Sequence, residues 1–171
     1  TSAMIQKMRL DKDPVTMLTC TDASFAGMLD QAEVDMFLIG DSLGMVIQGD
    51  NSTLGVTMGD MVYHTRCVAK ATNRALIVGD LPFGSYQKSP EQAIENAIEL
   101  MAAGAQMVKL EGGVVMSDTV RFLVDRGIPV CGHIGLTPQS VHALGGFKVQ
   151  GKSEEAINDL IVAAKALEQS G

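Results

Sequence analysis

The chain has 171 residues, 46% hydrophobic and 19% charged, material for one sizeable core, and a single domain over 1–171 is predicted. Thirteen Lys and Arg against twenty Asp and Glu give a formal net charge of −7 with no basic run, which argues against nucleic acid or an anionic membrane surface as partner. Three scattered cysteines without a CxxC pair, no apolar core in TSAMIQKMRLDKD and no membrane-length apolar run lead to the expectation of a soluble, cytoplasmic protein.

VTMLTCT (15–21) reads as a strand and DASFAGMLDQA (22–32) as a helix with Asp22 as N-cap. MFLIG (36–40) is the second strand, and MGDMVYHTRCVAKAT (58–72) a helix after a long loop. ALIVGDLP (75–82) is the third strand, stopped by Pro82. Ser89, Pro90 and Gln92 supply an N-cap, an N1 proline and a capping-box partner for the next helix, and Gly104 ends it. AQMVKLEG (105–112) is the fourth strand, SDTVRFLVDRG (117–127) its helix, and PVCGHIG (129–135) the fifth strand. Thr137 and Pro138 read as a simple helix start, His64 and His142 as surface or capping residues, and Ser153 caps a last helix.

Alternating strands and helices imply parallel βαβ units. Five units would complete a doubly wound sheet, or would be the first five βα units of a (β/α)8 TIM barrel, which typically needs about 250 residues. Gly171 reads as a helix C-cap that precedes another strand, so the barrel with its later strands absent is the expected architecture.

Three successive strands end on an acid: FLIGD at Asp41, LIVGD at Asp80 and MVKLE at Glu111. Each alone could be the cap of a following helix. Parallel strands put all these ends on one rim at about 4.8 Å spacing, so the three carboxylates converge and call for a cation. Hard oxygen ligands select Mg²⁺ or a similar ion. Side-chain alternation turns Lys109 and Glu111 to one face and Val108 and Leu110 to the other. An inward Lys is costly unless paired, which suits an ammonium that holds a ligand. His133 shares a face with Cys131 near the same rim and is a second-rank candidate. Cys131 is read as packing.

GDSLGM (40–45), HTR (64–66), DLPF (80–83), VKLEGG (108–113), VCGHIGLTPQSV (130–141) and GGFKVQG (145–151) together resemble the ketopantoate (3-methyl-2-oxobutanoate) hydroxymethyltransferase family, from about residue 5 onward. The resemblance implies a (β/α)8 barrel of the phosphoenolpyruvate mutase and isocitrate lyase type and a homo-oligomer, usually a decamer. It implies Mg²⁺ on Asp41, Asp80 and Glu111, and substrate contacts at Asp41, Ser42, Asp80 and Lys109. His133 is implied as an accessory catalytic group beside Lys109. The implied activity transfers a hydroxymethyl group from 5,10-methylenetetrahydrofolate to 3-methyl-2-oxobutanoate through a Mg-stabilised enolate, giving 2-dehydropantoate for pantothenate biosynthesis. The family's general-base Glu lies beyond Gly171, and Thr21 and Gly55 stand where relatives carry Tyr and Pro. The alternatives are another Mg-dependent 2-oxo-acid lyase or mutase of the superfamily, and a non-catalytic, receiver-like Mg-binding domain.

Overall fold

The computed structural model describes residues 1–171. Five parallel strands, β1 (Met17–Thr19), β2 (Met36–Ile39), β3 (Leu76–Asp80), β4 (Met107–Glu111) and β5 (Val130–His133), lie side by side in chain order. That order decides between the two expected architectures. A doubly wound sheet reverses strand order at a switch point, whereas here each strand pairs only with its sequence neighbours, as in a sector of a (β/α) barrel.

Helices α2 (Ala23–Gln31), α4 (Met58–Ala71), α5 (Pro90–Ala103), α6 (Ser117–Val124) and α7 (Glu154–Ser170) cover the outside of the sheet, each touching the next. Local chemistry sets their ends. Ser89 accepts from the Gln92 N–H at 3.2 Å, Pro90 opens α5, and Gly104 closes it at φ 117°, a conformation glycine adopts without steric cost. Gln92 departs from the expected capping box: its side chain accepts from the Lys88 N–H and donates to the Gly84 carbonyl. Thr57 and Asp60 form a reciprocal capping box on α4.

Side-chain alternation splits the apolar residues into two layers. Outward residues, among them Phe37, Ile39, Ile77, Val108 and Leu110, join Met61, Val68, Leu100 and Leu123 of the helices in the main core. Inward residues Met36, Leu76 and Val78 pack with Leu38, Met107 and Cys131. A helix absent from the sequence reading, α1 (Ser2–Asp11), sets Ile5 against this inner layer and so places the helix at the end of the sheet opposite the acids. A short α3 (Leu43–Val46) follows β2.

Three expectations need correction. β1 is three residues long and exposed, shorter than 15–21, because it pairs on one side only. α6 ends at Val124, before the expected 127. The Thr137–Pro138 start gives only a single 3-10 turn over Pro138–Ser140. All three cysteines are free, and no helix is long and apolar enough to cross a membrane.

Candidate active site

The C-terminal ends of β2, β3 and β4 bring Asp41, Asp80, Lys109 and Glu111 together, all of them buried. Strand register does this. Asp80 lies opposite Lys109, and Glu111 opposite His133. The Lys109 ammonium donates to both Asp80 oxygens at 2.7 and 2.8 Å and to Glu111 Oε1 at 3.3 Å. The backbone N–H of Asp41 donates to Asp80 Oδ2 at 3.2 Å, so the loop after β2 is tied to the end of β3. His133 Nδ1 lies 3.1 Å from Glu111 Oε1. With a carboxylate as partner this nitrogen carries the proton, leaving Nε2 as the acceptor nitrogen of the ring.

Burial and neighbouring charge act differently on the three acids. Asp80 is pushed up to about 7, chiefly by burial, with Lys109 opposing and Asp41 adding to the rise. Burial also raises Asp41, against the lowering effect of Gln139 and Lys109. Glu111 is lowered although burial is its largest single influence, because His133, Lys109 and the Gln139 N–H all favour its charged form. Lys109 is raised, the pull of Asp80 and Glu111 outweighing the desolvation that lowers it.

The expected set of three carboxylate ligands is not assembled as such. No three His, Cys, Asp or Glu side chains come together to hold an ion on their own, because the Lys109 ammonium lies between Asp80 and Glu111. Both Glu111 oxygens are engaged, Oε1 by Lys109 and His133 and Oε2 by the Gln139 N–H at 3.0 Å. The remaining donors still suit a hard cation. Three buried carboxylates face one ammonium, Asp41 has one oxygen with no well-formed hydrogen bond, and the buried Thr53 hydroxyl lies beside the Asp41 carboxylate without a well-formed hydrogen bond of its own. Asp41, through its open oxygen, and Asp80, by sharing oxygens that also accept from Lys109, would hold such an ion, with Glu111 acting on it through Lys109 and His133.

Ser42 is next to Asp41 and lines a cavity of about 410 Å³ with Thr19, Cys20, Thr21, Phe25 and Ile47. Cys131 points inward beside Lys109, its thiol raised by burial, and stays a packing residue. His64 departs from the expected surface role: it is half-buried, and its Nδ1 lies 2.7 Å from the Thr21 carbonyl, fixing the loop after β1.

Sequence reading passed over Gln139, treated as part of a helix start. Its amide reaches Asp41, its N–H reaches Glu111, and Tyr86 and Gln87 hold its carbonyl. The available signal was its place inside VCGHIGLTPQSV, the longest stretch carrying the family resemblance. Tyr86 was missed as well. Its hydroxyl accepts from the Glu111 N–H at 3.0 Å, and burial strongly raises its pKa.

A parallel β/α sheet in chain order with a buried acid–ammonium cluster at its C-terminal rim defines a partial (β/α) barrel of the enzyme type. Phosphoenolpyruvate phosphomutase from Streptomyces platensis subsp. rosaceus has the same fold, with a TM-score of 0.70 and 15% identity over 98% of this chain and 61% of that one. Phosphonopyruvate hydrolase, solved with oxalate and Mg²⁺, gives a TM-score of 0.70 and 14% identity over 100% of this chain and 60% of that one. The family model for ketopantoate hydroxymethyltransferase matches residues 1–171, and the chain belongs to that family. It is 62% identical over 165 residues to the 3-methyl-2-oxobutanoate hydroxymethyltransferase of Azoarcus sp. (strain BH72), covering 96% of this chain and 61% of that protein. The chain thus spans a little under two thirds of the curated relatives it matches.

Proposed function

We propose that this chain is part of a divalent-cation-dependent enzyme acting on a 2-oxo acid, and that the acid is 3-methyl-2-oxobutanoate, hydroxymethylated at C3 with 5,10-methylenetetrahydrofolate as donor. The observation that carries the reading is the buried cluster itself: three carboxylates at successive strand ends around one ammonium, an excess of buried negative charge that a cation offsets. Family membership supports 3-methyl-2-oxobutanoate as the acid, and the folate donor is what the sequence resemblance implies. Formation of 2-dehydropantoate for pantothenate biosynthesis, by a cytoplasmic homo-oligomer, belongs to the same proposal.

In this reading Asp41 and Asp80 would hold Mg²⁺, whose Lewis acidity would draw electrons from a 2-oxo acid's ketone and carboxylate and so acidify the C3 hydrogen. Lys109, fixed by Asp80 and Glu111, balances the substrate carboxylate. Ser42, adjoining Asp41, donates a hydrogen bond to the substrate from the mouth of its cavity. His133 is oriented by Glu111 through Nδ1, so that Nε2 faces the reacting region. Both Glu111 oxygens are engaged and Asp80 is held by Lys109, so neither is free to take the proton. The family resemblance implies a Glu outside these 171 residues for that role.

A second reading, another Mg-dependent 2-oxo-acid lyase or mutase of the same superfamily, is favoured by the solved structures that share the fold, and by the cluster, whose groups suit any 2-oxo acid and none of which is specific for a folate. One experiment separates the two. The full-length protein is given 3-methyl-2-oxobutanoate in D₂O with Mg²⁺, with and without 5,10-methylenetetrahydrofolate. Exchange of the C3 hydrogen together with folate-dependent product supports the transferase. Exchange without any transfer favours the second reading, and absence of exchange with Mg²⁺ present refutes the first.

A further inference from the structure

We propose that Gln139 is a positioning residue that selects which oxygen of Asp41 meets the cation; the inference rests on the metal reading above. Gln139 is more than nine-tenths buried, and its side-chain amide spans three segments. Oε1 accepts from the Tyr86 hydroxyl at 2.6 Å and from Gln87 Nε2 at 3.1 Å. Nε2 donates to Asp41 Oδ2 at 2.9 Å and to the Leu81 carbonyl at 3.0 Å. The backbone N–H of the same residue donates to Glu111 Oε2.

The orientation of this amide is determined by its surroundings. Tyr86 has one proton and two acceptors in reach, Gln139 Oε1 at 2.6 Å and the Glu111 carbonyl at 3.1 Å, and the shorter contact takes it. Gln87 adds a second donor to the same oxygen. Turning the amide over would set its NH₂ against the Gln87 amide N–H and its oxygen against the Asp41 carboxylate and the Leu81 carbonyl, three repulsive contacts in a buried site. With Nε2 fixed, Asp41 Oδ2 is occupied and Oδ1 is the oxygen left open. A carboxylate held at one oxygen presents the other in a defined direction, which is how groups behind a ligand raise cation affinity, typically by 10–100-fold. Two acids are thereby set by one residue, because the N–H of Gln139 fixes Glu111 while its side chain fixes Asp41.

The test is Mn²⁺ affinity of the full-length protein, read from the electron spin resonance signal of the free ion, in wild type and Gln139→Met. Met keeps the length and apolar bulk of Gln and removes both donors. Binding weakened about tenfold or more is expected, with the unfolding midpoint recorded beside it. Arg74→Ala serves as the stability control, because Arg74 pairs with Asp35 at the opposite end of the sheet; it is expected to lower the midpoint and leave Mn²⁺ affinity unchanged. Affinity within twofold of wild type in Gln139→Met, or an equal loss in Arg74→Ala, overturns the proposal. Should Gln139→Met fail to fold, Tyr86→Phe takes its place, since it removes the donor that orients the amide. A loss of at least threefold is then expected, and unchanged affinity overturns the proposal. Wild-type protein that binds no Mn²⁺ overturns the metal reading itself, a result distinct from any of these.

Discussion

Replacing Lys109 by Met removes the only ammonium in the buried cluster. Its nitrogen lies 2.7 and 2.8 Å from the two oxygens of Asp80, whose side chain is 1% exposed, and 3.3 Å from Glu111. Breaking a buried ion pair on one side costs about 3–5 kcal/mol, a large share of the roughly 5–15 kcal/mol that holds a domain together. Asp80 has one means of relief. Its pKa is already about 7 with the ammonium beside it, so without that lowering influence it keeps a proton well above neutrality. The folded state then binds a proton that the unfolded chain, with an Asp pKa near 4, has released. Stability must fall as pH rises until the folded pKa is passed. In wild type this decline runs from about pH 4 to about 7; in Lys109→Met it continues upward. The gap between the two proteins should therefore widen by about 1.4 kcal/mol per pH unit above 7, approaching the buried-charge cost only about two to three units higher. Urea unfolding of metal-free protein at pH 6.5, 7.5 and 8.5 measures it. The double variant Lys109→Met with Asp80→Asn should recover most of the loss, because removing both members of a buried pair is far less costly than removing one. A gap that stays constant across this range, or a double variant no more stable than the single, would refute the account.

Thr53→Val removes a buried hydroxyl that lies beside the Asp41 carboxylate without a well-formed hydrogen bond, so metal-free protein should stay within about 1 kcal/mol of wild type in urea unfolding, while Mn²⁺ affinity falls. Gly132→Ala would set a Cβ 2.8 Å from Leu167 Cδ1; a loss of about 1–3 kcal/mol is expected, with partial recovery on adding Leu167→Ala. Asp30 accepts from the N–H groups of Asn73, Arg74 and Ala75, and its pKa is lowered: burial, the largest influence, opposes this, but those hydrogen bonds and Arg74 together outweigh it. Its contribution is present above the unfolded pKa near 4 and is lost as pH falls, so wild type and Asp30→Asn should converge in thermal midpoint between pH 6 and pH 3.

Much of the fold was legible because its signals are local. The Ser89-Pro90 start and Gly104 stop of α5, and the short apolar runs of β2, β3 and β4, need no information from distant residues. The inward pairing of Lys109 with Glu111 followed from a two-residue period. Longer-range facts were not legible. Strand order, which separates a barrel sector from a doubly wound sheet, depends on how the βα units pack. Helix α1 has a weak apolar pattern and contributes Ile5 to a layer that exists only once the strands are assembled. Sequence also led to three carboxylates meeting each other, when Lys109 in fact lies between two of them. A period places a side chain on a face, but the reach of a long ammonium across that face follows from register. Gln139 was missed for a related reason: an amide shows its worth only through its partners, and these come from residues 41, 81, 86, 87 and 111.

Gly79 and Gly132 lie on the outer face of the sheet, each directly before an inward polar residue, Asp80 and His133. A methyl group at either would meet a leucine of a covering helix, Leu100 in α5 or Leu167 in α7. Helix α5 thus rests on bare backbone where β3 delivers Asp80, and the Leu167 side chain of α7 comes close to the exposed Gly132 where β5 delivers His133. Those leucines act as set-screws turned from outside, and trimming or enlarging them is a way to retune the inner charges by fractions of an ångström without altering any residue that touches the ligand.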